Sequence, residues 1–289
     1  MSIVITGASG QLGRLTADAV LQRTDPSDVV LVTRRPEALA DFAQRGATVR
    51  AGDFDDPASL PAAFAGGERL LLISTADIGT RVAQHEAAID AAAAVGVRSI
   101  AYTSIVNPSD SNPGIAAGEH RATEELIRGS GAAWTFLRNG IYAEMLIPAA
   151  AGALASGSLV TNEGEGRTAY ISRDDIAVAA AVILTSDGHE RRAYDLTGPE
   201  ALAPRDIATL VAEIGGRPVE PALVDDDGWV AAMVQHAGMP EPMARTYATF
   251  GVAARRGYAA AVSTTFRELT GREPRSVREV LEAHRAELA

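Results

Sequence analysis

Residues 2–21 read SIVITGASGQLGRLTADAVL, and this stretch decides the fold class. A short apolar run comes first, a glycine-rich turn follows, and an amphipathic helical pattern begins directly after it. Gly7 permits the tight turn, Gly10 lets the backbone approach a pyrophosphate, and Gly13 lets the helix pack close to the sheet. The N–H groups at the start of the helix would bind the phosphates. The stretch therefore predicts a dinucleotide-binding β–α unit, with an ordinary glycine-rich turn as the alternative.

Strand-like and helical runs alternate along the first half of the chain. Short apolar runs predict strands at residues 2–6, 29–33, 48–51, 69–74, 99–103 and 134–138. Amphipathic or alanine-rich runs between them predict helices at residues 11–23, 37–45, 57–65, 80–95 and 117–130. This alternation is typical of βαβ units. It predicts an α/β fold with a Rossmann-type, doubly wound parallel sheet.

The pattern changes after residue 139. Two further strands are predicted at residues 168–172 and 193–197. Helices are predicted at residues 173–186, 204–214, 225–237, 240–256 and 276–288. No repeat, low-complexity tract or long Pro/Gly/Ser-rich linker separates the two halves. We therefore expect a Rossmann domain at residues 1–139 and a smaller α/β C-terminal substrate lobe at residues 140–289, with an approximate boundary at which the two can interleave.

Composition excludes several classes of protein. The chain has no cysteine, which excludes disulfides, Cys-ligated zinc and a thiol nucleophile. All 26 basic residues are arginine and the net charge is −11, so nucleic acid is not an expected partner. The five histidines lack metal-ligand spacing, so we expect no metal site. Because no apolar run is long enough for a membrane span and no signal peptide is evident, we expect a cytoplasmic protein without membrane insertion.

The end of the second strand discriminates between the two nicotinamide cofactors. An acidic residue about 20 positions past the glycines would bind the ribose 2′-hydroxyl of NAD. This chain instead has VTRRP, with Arg34 and Arg35 and no acid. An arginine there can pair with a 2′-phosphate through its guanidinium fork, so we expect NADPH in preference to NADH. Two exposed arginines at the start of a loop are the alternative.

Side chains after the other strands lie at the edge where open α/β sheets bind ligands. Asp53 can accept a hydrogen bond from an adenine amino group and Phe54 can cover the ring, although Asp53 is equally suited to capping the next helix. Small residues that end the fourth and fifth strands are also predicted at the cofactor, although hydroxyl residues often simply terminate strands. These residues are Ser74, Thr75, Ala76, Thr103 and Ser104.

A set of motifs runs in order along the chain: TGASGQLG, VTRRPE, AGDFDDPASL, LLLIS, AQH, VGVRSIAYTS, EHRATE and TFLRNGIYAE. Together they resemble the NmrA-like group of atypical short-chain dehydrogenases/reductases. Within that group, they are most similar to the branch of type 2 NAD(P)H:quinone oxidoreductases and triphenylmethane reductases. The resemblance covers nearly the whole chain and is strongest up to Glu144.

The resemblance implies roles for matching residues. It implies that Arg34 holds the 2′-phosphate and that the segment from Asn139 to Glu144 runs past the nicotinamide into the substrate cleft. Asn139, Gly140 and Ile141 would then contact the cofactor, while Tyr142 and Glu144 would contact the substrate. The glycine loop would hold the pyrophosphate, through Gly7, Ala8, Ser9, Gly10, Gln11, Leu12 and Gly13.

Residues 118–125, GEHRATEE, occupy the helix where short-chain dehydrogenases carry Tyr-x-x-x-Lys, yet they include no tyrosine and the chain has no lysine. By register, His120 stands where similar isoflavone-reductase-like proteins keep a lysine, so it is a candidate to contact the cofactor ribose or the substrate. The alternative is an exposed i,i+4 pair with Glu124. Tyr142 is the second candidate catalytic residue, because its phenol would project near the hydride acceptor. A structural tyrosine with a buried hydroxyl is the alternative.

The absence of a Tyr-x-x-x-Lys pair limits the reactions that the protein can be expected to catalyse. Reduction of a ketone generates an alkoxide, which needs an acid, whereas reduction of a quinone yields a phenolate, a much weaker base. Such a site mainly has to hold NADPH and acceptor in register. We therefore expect an NADPH-dependent reductase that transfers hydride to a small-molecule quinone or similar conjugated electrophile, and that can form a homo-oligomer. The alternative is an NADP(H)-sensing, NmrA-like regulatory binding protein.

Overall fold

Residues 2–21 fold into strand β1 (Ile3–Ile5) and helix α1 (Gln11–Leu21), connected by the glycine-rich turn. The structure is a computed structural model and describes residues 1–288. A Cβ atom on Gly13 would overlap the Gly7 carbonyl oxygen and lie 2.7 Å from the Cα of Ala8. Since only glycine permits this contact, α1 begins directly on the turn, as predicted.

A parallel sheet forms the centre of the molecule. The strands of residues 1–288 are β1, β2 (Val29–Thr33), β3 (Thr48–Ala51), β4 (Arg69–Leu72), β5 (Ser99–Ile105), β6 (Ala133–Asn139), β7 (Ser158–Thr161), β8 (Arg192–Leu196) and β9 (Glu220–Leu223). Seven of them form the main sheet, in the order β3-β2-β1-β4-β5-β6-β8, and every pair in it is parallel. β7 and β9 form a separate two-stranded parallel sheet.

Helices cover both faces of the main sheet. The α-helices of residues 1–288 are α1, α2 (Ala40–Gln44), α3 (Leu60–Phe64), α4 (Arg81–Ala94), α5 (Ile115–Gly129), α6 (Leu146–Ser156), α7 (Arg173–Thr185), α8 (Pro204–Gly215), α9 (Asp226–Ala237), α10 (Glu241–Arg255), α11 (Thr265–Thr270) and α12 (Val277–Ala283). Ile3 and Ile5 belong to the core beneath α1, α7 and α11. Val4 points to the opposite face, where α3, α4 and α5 pack. This alternation confirms the predicted doubly wound α/β fold.

The C-terminal half contributes to both parts of the molecule. α6, α8 and α12 enclose a third core together with β7. β8 instead extends the main sheet beside β6, and α7 packs on α1. After residue 139 the chain therefore still contributes a strand and a helix to the Rossmann-type sheet and its helical layer. The predicted domain division at that residue stays a prediction. No helix within residues 1–288 is both long and apolar enough to cross a membrane.

The segment at residues 168–172 differs from its prediction as a strand. Its backbone bonds three different partners: Thr168 pairs with Leu202, Ala169 donates to the Ala259 carbonyl, and Ile171 donates to the Ile141 carbonyl. No continuous ladder can form with three partners, so only isolated bridges remain. The complete burial of the segment explains its apolar, strand-like sequence.

Some helices and short strands of the C-terminal half were not predicted from the sequence. β7, β9 and α11 have only four to six residues each, which is too short for a periodic pattern. α6 contains Pro148, which argues against a helix from sequence. The proline lies in the first turn, however, where its missing N–H costs no helical hydrogen bond. The last predicted helix, at residues 276–288, ends at Ala283 and is followed by a 3-10 turn.

The contact beneath α1 predicts opposite effects for two glycine substitutions. Gly13→Ala should lower the free energy of unfolding by roughly 1–3 kcal/mol, because the added methyl group overlaps the turn. Gly118→Ala is the matched control, since it is exposed within α5 and its Cβ would meet no atom within 4 Å. It should raise stability by roughly 0.5–1 kcal/mol. Chemical denaturation of both variants tests this, and equal effects would contradict the proposed contact.

Candidate active site

The carboxyl ends of the parallel strands meet at one edge of the main sheet. The strand order reverses direction between β1 and β4, and open α/β sheets bind ligands at such a crevice. The glycine turn follows β1, and residues 73–76 follow β4. Thr33, Ile105 and Asn139 end β2, β5 and β6 at the same edge. The sheet therefore brings most of the predicted cofactor residues to a single crevice.

The glycine turn leaves the start of α1 free for an anion. The Ser9 hydroxyl lies 2.7 Å from that of Thr33, and Ala8 donates its N–H to the Val32 carbonyl, so the turn is tied to β2. Gly10 is the N-cap, with no side-chain capping bond and no acidic residue in the first helical turn. Free N–H groups and the positive end of the helix dipole fit a pyrophosphate.

Arg34 is an exposed cation beside this turn. Its side chain makes no hydrogen bond or ion pair with any described residue, and neither does that of Arg35. The neighbouring Arg14, by contrast, pairs with Asp41 at 2.6 Å. An unpaired guanidinium at the end of β2 fits the 2′-phosphate of NADPH, so the residues present are compatible with that cofactor.

Polar side chains bridge the ends of β4 and β5. The Ser74 N–H donates to the Thr103 hydroxyl at 2.8 Å, and that hydroxyl in turn lies 3.3 Å from the Ser74 hydroxyl. Thr75 donates its N–H to His85 at 3.2 Å and its hydroxyl to Gln84 at 2.8 Å. The bonds from Thr75 tie the loop that contains Ala76 to α4.

The side chains of Asp53 and Phe54 contact other residues of the chain. An Asp53 carboxylate oxygen accepts the N–H of Asp55 at 3.1 Å, which closes a local turn rather than capping the next helix. The Phe54 ring lies edge-on to His85, with centroids 6.4 Å apart. Their predicted contacts with adenine stay predictions.

His120 lies in a buried polar network. Its Nδ1 is 2.7 Å from the Tyr102 hydroxyl and its Nε2 is 3.1 Å from the guanidinium of Arg81. Burial holds the pKa of His120 well below its usual value, and the nearby charges of Arg81 and His85 lower it further. Both ring nitrogens are thus occupied by protein partners, while the predicted contact with cofactor or substrate stays a prediction.

Glu124 shares the buried face of α5 with His120, so the alternative of an exposed pair is wrong. Its carboxylate accepts two hydrogen bonds from Arg138, at 2.9 and 2.7 Å, and one from Arg128. The Ser104 hydroxyl donates to it at 2.8 Å. The predicted cofactor residue Ser104 is therefore occupied by this buried ion pair, which joins α5 to the ends of β5 and β6.

Asn139, the last residue of β6, and Tyr142 each keep a hydrogen-bonding group that no protein contact within residues 1–288 uses. Asn139 donates its Nδ2–H to the Tyr142 hydroxyl at 3.0 Å, but its Oδ1 is buried without a partner. Because the Tyr142 hydroxyl accepts this bond, its own proton remains available. Burial raises the pKa of Tyr142, so the phenol stays protonated. Gly140 is required here because a Cβ would lie 2.6 Å from the Ala169 carbonyl oxygen.

Glu144 is held by the start of α7. One carboxylate oxygen accepts the Arg173 N–H at 2.8 Å, and the other lies 3.5 Å from the Arg173 guanidinium. The same guanidinium lies 4.8 Å from the centre of the Tyr142 ring. These contacts orient the tyrosine, and the predicted contact of Glu144 with substrate stays a prediction.

A cleft opens between the sheet edge and the C-terminal half of the chain. Its walls come from the ends of β5 and β6, the start of α5, the segments around residues 163–170, and α10. The lining residues are Ile105, Val106, Asn112, Gly114, Ala117, Ile141, Glu163, Thr168, Tyr170, Phe250, Ala253, Tyr258 and Ala259. Most are apolar or aromatic, as in sites for flat organic molecules. Among the predicted site residues, only Ile141 lines the cleft.

Sequence reasoning therefore missed most of the cleft. Glu163 occurs in NEGEG at residues 162–166, an acidic, glycine-containing stretch that is typical of a surface loop. Tyr170 lies in a stretch interpreted only as a strand. The walls from α10 carry no motif, because their role depends on where the helix packs.

A model of the family described as NAD(P)H-binding matches residues 7–187 of the chain. Quinone oxidoreductase 2 of Escherichia coli strain K12 is 36% identical over 269 residues, which cover 93% of each chain. The chain belongs to this NAD(P)H-binding, NmrA-like family. The predicted family is thereby confirmed, and so is the prediction of an oxidoreductase at the level of the family.

Solved structures of family members share the whole fold. An NADPH-dependent quinone oxidoreductase from Escherichia coli, complexed with NADPH, superposes with a TM-score of 0.94 at 35% identity, covering 98% of this chain and 99% of that chain. The triphenylmethane reductase of Citrobacter sp., complexed with NADP(H), superposes with a TM-score of 0.92 at 33% identity and the same coverage. The NAD(P)H azoreductase of Xenophilus azovorans is 29% identical over 98% of each chain.

The buried histidines predict a loss of stability in acid. Burial lowers the pKa of His85 to about 3, and Arg81 adds to this effect, while His120 is lowered as well. The unfolded chain therefore binds protons first as the pH falls below about 6.5, and stability is lost in that window. Between pH 6.5 and 5 the loss should be roughly 2 kcal/mol from His85 alone, and His120 should add to it in the same direction.

Chemical denaturation at pH 7, 6 and 5 measures this dependence. His120→Asn should remove the part of the pH dependence of the unfolding free energy that comes from His120. This holds whatever the effect of the substitution on stability at pH 7. His236→Asn, at an exposed position of α9, is the control and should keep the wild-type dependence. An unchanged pH dependence in His120→Asn would contradict a neutral, buried His120.

Proposed function

We propose that this protein transfers a hydride from NADPH to a quinone or similar conjugated electrophile, without a Tyr-x-x-x-Lys pair. The position of the cleft carries the proposal. Its walls include Ile105 and Ile141, which lie at the ends of neighbouring strands beside the predicted nicotinamide site. An acceptor between these walls and the aromatic residues of the C-terminal half would lie against the reactive face of the cofactor.

The relatives support this class of acceptor. Relatives that are 29–36% identical to this chain are named for reduction of quinones, triphenylmethane dyes and azo compounds. These acceptors share an extended conjugated system that spreads incoming charge. The mostly apolar cleft wall suits such flat molecules, and no group of three or more histidine and acidic residues within residues 1–288 could hold a metal ion.

The residues of the chain would act mainly by holding NADPH and the acceptor in the correct relative position. NADPH supplies the hydride when it is bound. The start of α1 would hold the pyrophosphate, and the partnerless Oδ1 of Asn139 would accept a hydrogen bond near the nicotinamide. Tyr142 has a protonated hydroxyl that is free to donate, so it would stabilise developing negative charge on an acceptor oxygen within its reach.

Preference for NADPH over NADH is part of the proposal. Arg34 supports it, because its guanidinium has no partner within residues 1–288 and the residue follows the end of β2. A small-molecule acceptor is the expected partner. The expected homo-oligomer and cytoplasmic location stay predictions.

Substitution of Arg34 tests the cofactor preference. Arg34→Ala should raise the KM for NADPH by roughly 10- to 100-fold, because a charge-assisted hydrogen bond contributes about 1.5–3 kcal/mol. The KM for NADH should change little. Arg35→Ala is the matched control, equally exposed and one residue away, and should have a much smaller effect. Equal loss with both cofactors would contradict the assigned contact.

A panel of acceptors tests the reaction itself. Purified protein with NADPH and no flavin should oxidise the cofactor when a simple quinone is added, and turnover is followed by the loss of NADPH absorbance. Absence of turnover with quinones, azo compounds and triphenylmethane dyes would refute the proposed reaction. If the protein then still bound reduced and oxidised cofactor with very different affinities, a sensor function would replace it.

A further inference from the structure

Glu163 is the acidic residue of the cleft. It follows β7 in the NEGEG loop at residues 162–166, and its partly buried side chain lines the cleft with Ile105 and Ile141. The buried Tyr170 donates its hydroxyl to one carboxylate oxygen at 3.4 Å, and Thr168 donates to the other at 3.5 Å. Both distances are long for hydrogen bonds, so the carboxyl group keeps capacity for a further partner in the cleft.

The loop that carries Glu163 is fixed against α10. A Cβ on Gly166 would lie 2.5 Å from the Ala254 carbonyl carbon, and one on Gly251 would overlap the Asn162 side chain. Asn162 also donates to the Ala248 carbonyl at 2.9 Å. This close packing holds the Glu163 carboxyl group at one place in the cleft wall.

No arginine within residues 1–288 forms an ion pair with Glu163. Arg255 of α10 lies beside the loop, but it pairs with Asp226 of α9 at 2.9 Å and donates to the Asn162 carbonyl. Tyr170 and Tyr258 are the other titratable groups of the cleft wall. Burial raises the pKa of Glu163, although the bonds from Tyr170 and Thr168 oppose this effect. The carboxyl group therefore keeps its proton to higher pH than an exposed glutamate does.

Tyr170 does not compete as an acid. Burial raises its pKa well above the usual value for tyrosine, and the carboxylate of Glu163 raises it further. Glu163 is thus the stronger acid of this pair, and it faces the space where the acceptor would lie.

We propose that Glu163 is the proton donor to the acceptor during reduction, a role that depends on the reductase function proposed above. The hydride brings two electrons and one hydrogen to the quinone, which needs one more proton to become a hydroquinone. The O–H bond of Glu163 breaks as the second hydroquinone O–H bond forms. The carboxylate that remains takes a proton from solvent before the next turnover. Donation by a carboxylic acid at this position is general acid catalysis.

The class of acceptor distinguishes this role from a structural one. A quinone needs both a hydride and a proton. A triarylmethyl cation, such as a triphenylmethane dye, becomes a neutral leuco compound when its central carbon gains a hydride, and it needs no proton. Loss of a proton donor should therefore slow quinone reduction selectively, whereas a misfolded cleft should slow both reactions.

The experiment compares Glu163→Gln with wild type on both acceptors. Glutamine keeps the shape of glutamate and cannot donate the acidic proton. The ratio of kcat for a benzoquinone to kcat for a cationic triphenylmethane dye should fall about tenfold or more. This is less than the roughly 100-fold or greater effect usual for general acids, because a phenolate is a weak base. Glu165→Gln, at an exposed position in the same loop, is the matched control and should keep the wild-type ratio.

Two further measurements report the proton itself. In wild type, kcat for the quinone should fall as the pH rises through the pKa of Glu163, and Glu163→Gln should lack this decrease. Infrared spectra of wild type should contain a carboxylic-acid carbonyl band that persists to higher pH than the bands of exposed carboxyl groups, and Glu163→Gln should remove it. An unchanged ratio, an equal loss with both acceptors, or the absence of that band would overturn the role of Glu163. If wild type reduces neither acceptor, the reductase function itself fails, which is a separate result.

Discussion

The close backbone contact between Gly13 and the Gly7–Ala8 turn is the constraint on which the rest of the structure depends. It brings α1 directly onto the end of β1, so the free N–H groups of the helix point into the crevice where the strand order reverses. α7 then packs on α1 and connects the C-terminal half to the sheet. A larger residue at position 13 would move the predicted phosphate site and the helix on which α7 packs together.

Charge is distributed differently on the two sides of the crevice. In the interior, Glu124 is paired with arginines, and His85 and His120 are held neutral by burial. At the cofactor side, Arg34 is exposed and unpaired among the described residues. The cleft wall is mostly apolar and includes the carboxyl group of Glu163, whose pKa is raised by burial. This arrangement suits an anionic cofactor on one side and an uncharged conjugated acceptor on the other.

Local patterns predicted the Rossmann half well. The six strands of that half lie within one or two residues of their predicted positions, because buried parallel strands have apolar runs bounded by turn residues. Segments whose conformation depends on distant partners were predicted poorly. Residues 168–172 are apolar because they are buried, yet they bond three separate segments and form no strand. Glu163 has no local signal, because α10 and the end of β5 turn an ordinary loop residue into part of a cleft.

The sequence by itself determined the dinucleotide-binding unit, the cation at the end of β2 and the absence of a Tyr-x-x-x-Lys pair. These features are local, since each depends on residue types at short spacing. The tertiary structure alone decided which side chains share the cleft, that His120 is enclosed by Tyr102 and Arg81, and that Glu163 lines the cleft. Burial and pairing are set by segments far apart in the chain, and a pKa depends on both.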